Sequence, residues 1–347
     1  MEKFNKHIVR ENETLKSIAS QYNLSSDSLK KFHNDHCDIK GMILISLTDQ
    51  KELFIPRTAI SDKTKLVDFG SGNRLIFNPR NLLLKYGVRI TMDHGDRKNE
   101  IKYDASVRWL KTENQLHFFE IDRISKFYIN EEEVNEMADL LAYKASKVLY
   151  PLYISADENG KMYSVENTQE YAKRWNTVKE EIEKEYEGEI VEEYCRKTEK
   201  VLSEPELLTE LMKKDYFLRT WFFGIYRKYG KDYETTENET FPVVKNPIEP
   251  NFKVRFEIDP LKDEYDQINI EGYGILNDGR SVYDFINRAP FSFIAEDNPE
   301  INENGSFRIQ FYLNGKTSLP ESLYLESDIM LDEKKKISVM ISRLEEQ

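Results

Sequence analysis

Two long stretches of this chain alternate polar and apolar residues, which is the pattern of β-strands with one buried face. The first stretch covers residues 81–129, and the second covers residues 239–344. Turn sequences at 95–96 and 112–114 separate the strands of the first stretch, so that stretch is expected to form an antiparallel meander. Both sets of strands are expected to contribute to one large body that also contains helices.

Between the two strand sets the pattern becomes mainly helical. Residues 131–167 predict a helix over 131–149, with Asn130 as its cap, and then a hairpin that turns at an Asn-Gly pair. Residues 168–230 predict a helical block. Its last helix is densely aromatic and is expected to end at Gly230.

The predicted fold class is therefore α+β, with three parts along the chain. A small βααβ domain is expected over residues 1–57, a polar linker over 58–80, and a body of antiparallel sheet with an inserted helical block over 81–347. The chain has 347 residues, 39% of them hydrophobic, which is long for one core and apolar enough to form more than one.

The N-terminal segment is the most specific part of the sequence. A short apolar strand around Ile8 precedes two helical patterns, and Ser25 or Ser26 can cap the second of them. Two candidates remain for the closing strand, the apolar run 42–45 and the alternating segment 51–57.

This order of residues resembles the LysM family, whose pattern has a Thr-Leu pair, a Ser-Ile-Ala helix, a second helix that ends in Asn, and a last strand that ends Leu-x-Ile-Pro. The resemblance covers about residues 5–57 and implies a βααβ fold. The positions that match are Thr14-Leu15, Ser17-Ile18-Ala19, Tyr22, Leu29, Asn34 and Leu53-x-Ile55-Pro56.

In that family a sugar groove lies between the first strand–helix loop and the loop before the last strand. The resemblance places the ligand- or partner-binding residues of this chain at Asn12, Glu13, Thr14, Asn34 and Asp35. The family's usual Gly-Asp is replaced here by Asn12-Glu13, and the second loop is enlarged by HCDIKGMILISLTDQ. Both changes fall in the groove, which favours a protein ligand over an N-acetylglucosamine polymer.

The stretch HNDHC, residues 33–37, contains three possible zinc ligands in a chain with 5 His and 2 Cys. His33 and His36 are three residues apart and could share a metal on a helix. No matching Cys/His cluster supplies the remaining ligands, so we interpret the stretch as a helix C-terminus with Cys37 as a small apolar group and predict no metal site.

The charge of the chain limits its partners. A formal net charge of -13 disfavours nucleic acids and anionic membranes, and the opening MEKFNKHIVRENETL has no apolar signal segment. We therefore expect a cytoplasmic protein that binds neither nucleic acid nor membrane.

No arrangement for catalysis is apparent in the sequence. A nucleophile would need His94 or His117 as its base, Cys195 lies in a charged helical pattern, and no Gly-x-Ser-x-Gly elbow is present. Acidic pairs such as Glu180-Glu181 are typical of solvated helix faces. We predict no enzymatic activity and no cofactor.

Two tryptophans in the helical block are candidates for contact with a partner. Arg174-Trp175 could stack on the aromatic helix around Trp221 or could form a partner-facing cluster, because Trp and Arg are enriched at interface hot spots. Core burial is the alternative for each of them.

Single LysM modules also occur in accessory proteins of contractile injection systems, and similarity to these, carried by the N-terminal module alone, is the basis of our functional expectation. We expect a non-enzymatic adaptor or chaperone-like accessory protein of a bacterial, type VI-like apparatus, with spike, tube or effector-like protein partners. The alternatives are a peptidoglycan- or chitin-binding protein, and a toxin or enzyme whose site forms only in three dimensions.

Overall fold

The computed structural model describes most of the chain. It contains a 13-stranded sheet, two 2-stranded sheets and eight helices within the described residues. These residues are 4–9, 13–38, 41–43, 47, 50–56, 66–133, 137–263, 265–293 and 304–345.

The N-terminal segment has the order strand, helix, helix, strand. It consists of β1 (Phe4–Ile8), α1 (Leu15–Gln21), α2 (Ser26–Asn34) and β2 (Glu52–Pro56), and β1 pairs antiparallel with β2. The closing strand is therefore the later of the two candidates. Its small core is separate from the core of the body and is formed by Ile18, Ala19, Leu29, Ile43, Leu53 and Ile55.

The body is built on the 13-stranded sheet, and all of its strand pairs are antiparallel. This confirms the α+β class and the large antiparallel sheet. The first half of the chain contributes β5 (Leu83–His94), β6 (Arg97–Glu113), β7 (Leu116–Arg123), β8 (Tyr128–Ile129), β9 (Glu132–Glu133), β10 (Leu152–Ala156) and β11 (Met162–Val165). The second half contributes β12 (Glu234–Thr240), β13 (Asn251–Ile258), β14 (Gln267–Leu276), β15 (Gly305–Asn314), β16 (Pro320–Met330) and β17 (Lys334–Arg343).

One pairing joins the two strand sets into a single sheet. The main order is β11-β10-β7-β6-β5-β17-β16-β15-β14-β13-β12, so the last strand of the chain lies beside the first long strand. Val88 of β5, for example, pairs with Ile341 of β17.

The buried face of this sheet is covered by helices and by the irregular segment that follows α7, residues 222–229. The helices of the body are α3 (Met137–Lys147), α4 (Thr168–Glu185), α5 (Glu189–Ser203), α6 (Pro205–Met212), α7 (Tyr216–Trp221) and α8 (Val282–Ile286).

The aromatic helix predicted to run to Gly230 ends at Trp221, so that prediction was wrong. The residues that follow are buried without being helical, and Gly224 has a left-handed φ of 91°. Irregular backbone lets adjacent side chains face different parts of the sheet: Phe222 contacts Phe119, whereas Phe223 contacts Phe256.

The predicted cap of the helix at 131–149 was also wrong. Asn130 lies in a turn with a φ of 51°, its Oδ1 accepts a hydrogen bond from the Glu100 amide, and α3 begins at Met137. Asparagine tolerates left-handed backbone, so the same residue type suits a hairpin turn between β8 and β9.

The predicted linker is packed onto the body in its described part. Residues 66–80 contain β3 (Phe69–Gly70) and β4 (Arg74–Leu75), and the side chains of Val67, Leu75 and Phe77 are buried in the large core. Backbone hydrogen bonds also join the segment to the body, from the Val67 amide to the Pro260 carbonyl and from the Leu75 amide to the Arg227 carbonyl, so the described part is packed structure and not an open linker. Residues 57–65 lie outside the described residues.

No helix in the described parts of the chain is long and apolar enough to cross a membrane.

Candidate functional site

The first predicted site lies at the loop between β1 and α1, and its described residues are bound within the N-terminal unit. Thr14 caps α1: its hydroxyl accepts from the Ser17 amide at 3.0 Å, and the Ser17 hydroxyl accepts from the Thr14 amide at 2.9 Å. The Glu13 carboxylate lies 2.9 Å from His7 Nε2 and accepts from Gln21 at 3.1 Å. Asn12 lies outside the described residues.

The second loop of the predicted groove is held by Asn34. Its amide nitrogen donates to the Ile43 carbonyl at 3.0 Å, and its amide oxygen accepts from the Ile43 backbone N–H at 2.8 Å. Asp35 is the C-cap of α2 and its side chain is exposed. Of the four described groove residues, Thr14 and Asp35 are exposed, and the side chain of Thr14 is already used in the cap of α1.

HNDHC forms the end of α2 and the residues just after it, as the helix-terminus interpretation required. The buried His33 accepts from the Phe54 amide at Nδ1 (3.0 Å), so its Nε2 carries the proton and donates to the Gly41 carbonyl at 2.9 Å. His36 stacks on Phe32, and Cys37 is only half-buried. The described residues contain no group of three side chains that could bind a metal ion.

Lys16 joins the N-terminal unit to the body. Its Nζ lies 2.9 Å from Glu257 Oε1 on β13 and 5.9 Å from the ring centre of Tyr233. Burial lowers the pKa of Lys16, and the Glu257 carboxylate opposes that effect. An ammonium group in such a position is costly unless its partner stays in place, so the pair favours one arrangement of the unit on the sheet.

The tryptophans of the helical block lie in the core, which excludes the partner-facing cluster proposed from the sequence. Trp175 is 2% exposed and Trp221 is 4% exposed. Trp221 contacts the rings of Tyr86 and Phe119, and the guanidinium of Arg174 donates to backbone carbonyls of the body. Side chains this deeply buried cannot contact another protein without unfolding.

The side chains considered for catalysis also have structural environments. Cys195 is buried on α5, and burial raises the pKa of its thiol, which disfavours the reactive thiolate. His117 packs edge-on against Phe77 and lies 2.9 Å from the Thr112 hydroxyl, and burial lowers its pKa.

A cleft of about 820 Å³ opens at one end of the sheet, where three neighbouring strands meet two turns. Lys335 of β17 pairs with His94 of β5, which pairs with Arg97 of β6, so these three residues form a row across the sheet. Two residues further in, Ile337, Met92 and Asn99 form a parallel row in the same way. All six line the cleft, because alternate residues of a strand share a face.

The opposite wall of the cleft comes from the segment 242–246, from α8 and from the base of α7. It combines apolar side chains with Lys245, Arg288 and Asn246. Asn246 is 8% exposed, and its side-chain nitrogen has no hydrogen-bond acceptor among the described residues. A buried donor without an acceptor costs free energy, which a ligand in the cleft can recover.

The permanent cations that line the cleft outnumber its carboxylates by four to three. No salt bridge within the described residues involves any of the four permanent cations, Arg97, Lys245, Arg288 and Lys335. The carboxylates that line the same cleft are those of Asp93, Asp332 and Glu333.

The cleft has cationic groups that can bind an anion. His94 lies 3.7 Å from Glu333, and no Ser, Thr or Cys is among the described residues that line the cleft. Sequence reasoning missed this site because its residues come from separate strands, turns and helices of the chain, and only His94 had been singled out.

Comparison with known proteins gives little further guidance. No family model matches the chain, and no curated protein matches it. A solved structure described as "Lipid-protein interactions in lipovitellin" is similar with a TM-score of 0.39 and 7% sequence identity, over 76% of this chain and 25% of that chain. The chain thus spans about a quarter of the lipovitellin chain.

Proposed function

We propose that this chain is a non-enzymatic adaptor of a bacterial, type VI-like contractile injection apparatus. It acts in the cytoplasm and binds spike, tube or effector-like proteins through a LysM-like N-terminal unit and through the body. The observation that carries the proposal is the agreement between the matched LysM positions and their roles in the βααβ unit: Thr14 caps α1, Asn34 holds the second loop, and Leu53 and Ile55 are buried on β2.

A protein ligand is favoured over a sugar polymer by the state of the groove residues. Glu13, Thr14 and Asn34 already use side-chain groups within the unit, and fewer polar groups are therefore left for sugar hydroxyls. Ile8 on β1, in contrast, is 71% exposed, and apolar side chains of this kind are common in protein contacts.

The attachment of the unit to the body supports an adaptor role. Because the Lys16–Glu257 pair favours one position of the unit on the sheet, a partner that binds the unit also meets a defined surface of the body. Two surfaces held at a fixed distance strengthen binding through a high effective concentration.

The test uses the purified full-length chain. Sheath, tube, spike and effector proteins encoded beside its gene are measured for binding by interferometry, with peptidoglycan sacculi and chitin oligomers as competing ligands. We expect saturable binding to at least one protein component and none to either glycan.

Two charge-reversed variants locate the contact. Asp35→Arg, in the exposed part of the groove, is expected to weaken partner binding by about tenfold, and Glu187→Arg, an exposed residue between α4 and α5, is expected to leave it unchanged. Saturable binding to peptidoglycan or chitin, or a gene neighbourhood without sheath, tube or spike genes, contradicts the proposal.

A further inference from the structure

We propose that the cleft between the β5–β6 turn, the β16–β17 turn, segment 242–246 and α8 binds an acidic, partly apolar peptide segment of a protein partner. This inference deepens the adaptor proposal by naming the chemistry of one partner surface, and its biological setting rests on that proposal.

The charge of the cleft is the first argument. The whole chain carries a formal net charge of -13, yet Arg97, Lys245, Arg288 and Lys335 line one cleft without a salt bridge to any described carboxylate. Three carboxylates, those of Asp93, Asp332 and Glu333, line the same cleft, so the cations exceed them by one. The cleft is therefore more favourable to an anionic ligand than the rest of this acidic chain.

The second argument is independent of charge. Asn246 is buried in the wall of the cleft, and its side-chain nitrogen lacks an acceptor among the described residues. Its backbone N–H donates to the Val244 carbonyl, so the backbone donor has an acceptor and only the side-chain nitrogen lacks one. A carboxylate or backbone carbonyl of a ligand would supply the missing acceptor.

The distribution of the donors favours a peptide over a small anion. Lys335 and Arg97 lie on either side of His94, with neighbouring side chains about 5 Å apart across the strands. Lys245 and Arg288 lie on the other wall. A single phosphate can engage only a part of this set, whereas an extended chain can reach both walls.

The apolar lining supports the same conclusion. Tyr216, Val243, Phe285 and Ile337 line the cleft between the cations, and the phenol of Tyr216 is already bound to the Pro242 carbonyl at 3.0 Å. A volume of about 820 Å³ lies within the range of known ligand sites and accommodates several residues. Alternating acidic and apolar side chains would match the two kinds of lining.

The experiment measures the fluorescence anisotropy of a short fluorescein-labelled peptide of alternating glutamate and leucine, titrated with the full-length protein. The same peptide with glutamine in place of glutamate is the ligand control. We expect saturable binding of the acidic peptide, at least tenfold tighter than that of the control, and weaker binding as the salt concentration rises.

Matched variants assign the binding to the cleft. Arg97→Glu is expected to weaken binding of the acidic peptide about tenfold. Lys98→Glu makes the same charge change on the next residue, which is not among the residues that line the cleft, and is expected to have less than a twofold effect. Asn246→Asp keeps the size of the side chain and replaces the free donor, and it should weaken binding at least fivefold without loss of the circular dichroism signal.

Three results would overturn the inference. The first is equal binding of the two peptides, and the second is an equal effect of Arg97→Glu and Lys98→Glu. The third is displacement of the peptide by inorganic phosphate or by a labelled oligonucleotide, if either of these binds more tightly than the peptide does. If the peptide does not bind but an apparatus protein does, only this inference is wrong and the adaptor proposal stands. Peptide binding without any apparatus partner removes the adaptor proposal and retains the cleft.

Discussion

Alkaline pH is expected to unfold this protein, because its core contains many tyrosines. Burial raises the pKa of several of them above the ordinary value of about 10, and five of these have almost no exposed surface. They are between 0% and 5% exposed, and they are Tyr86, Tyr103, Tyr171, Tyr226 and Tyr229. Above pH 10 the unfolded chain loses these protons while the folded chain retains them, so the free energy of unfolding falls as the pH rises.

The size of the effect follows from the number of groups. A tyrosine that ionises near pH 10 only in the unfolded chain lowers the free energy of unfolding by about 1.4 kcal/mol at pH 11. Five such groups lower it by about 7 kcal/mol, which is comparable with the entire stability of a typical domain. The lowered pKa of Lys16 acts in the opposite direction, since the folded chain releases that proton first, but it is one group against five.

The assay follows tyrosinate absorbance and far-ultraviolet circular dichroism during the same titration. Any tyrosinate absorbance that appears with the dichroism unchanged should come from tyrosines outside this buried set. The buried set should ionise only as the dichroism is lost. Tyr229→Phe should make the pH dependence of unfolding shallower by about 1.4 kcal/mol per pH unit, and Tyr283→Phe should not. Smooth ionisation of every tyrosine with the fold intact would refute this reasoning.

Two further predictions concern packing. Gly160→Ala should lower the free energy of unfolding by about 2–3 kcal/mol, because Gly160 has a φ of 75° and a Cβ there would lie 2.7 Å from the Tyr226 ring. Gly279→Ala, with nothing within 4 Å, should change it by less than about 0.5 kcal/mol in the same denaturant titration, and equal effects would contradict the packing at the hairpin. Asn34→Ala should destabilise the N-terminal unit by about 1–3 kcal/mol, because both hydrogen bonds to Ile43 are lost. The rate of amide hydrogen exchange should rise in that unit and not in the body. An equal rise in both parts would argue against a separate small core.

The features that local sequence could predict are those that local physics decides. Alternation of side chains identified most of the long strands, and the turn at 95–96 fixed the pairing of β5 with β6. The order of the N-terminal elements was readable because the cap at Thr14 and the apolar positions of β2 are short-range signals. Local sequence does not show which strand of one set pairs with which strand of the other. The pairing of Val88 in β5 with Ile341 in β17 could therefore not be predicted.

The aromatic segment after α7 shows how tertiary contacts override local preference. Its apolar residues continue the pattern of the preceding helix, but their side chains contact different parts of the core. Phe222 contacts Phe119, Phe223 contacts Phe256, and Tyr226 stacks on Phe77. A helix would have turned some of them away from the sheet. The left-handed residue Gly224 lets the backbone change direction there, and a single glycine in a helical pattern is too weak a signal to predict that change.

The cleft was unpredictable for a related reason, and this also explains its selectivity. Arg97, Lys245, Arg288 and Lys335 are far apart in the chain, and the total charge of -13 conceals them. They come together only because β17 pairs with β5 and because segment 242–246 lies opposite that pairing. If the proposed peptide binds there, the negative charge of the chain as a whole would disfavour its binding elsewhere, and the cations of the cleft would offset that repulsion locally. A cationic surface spread over the whole protein would bind acidic peptides more strongly, but it would not select where they bind.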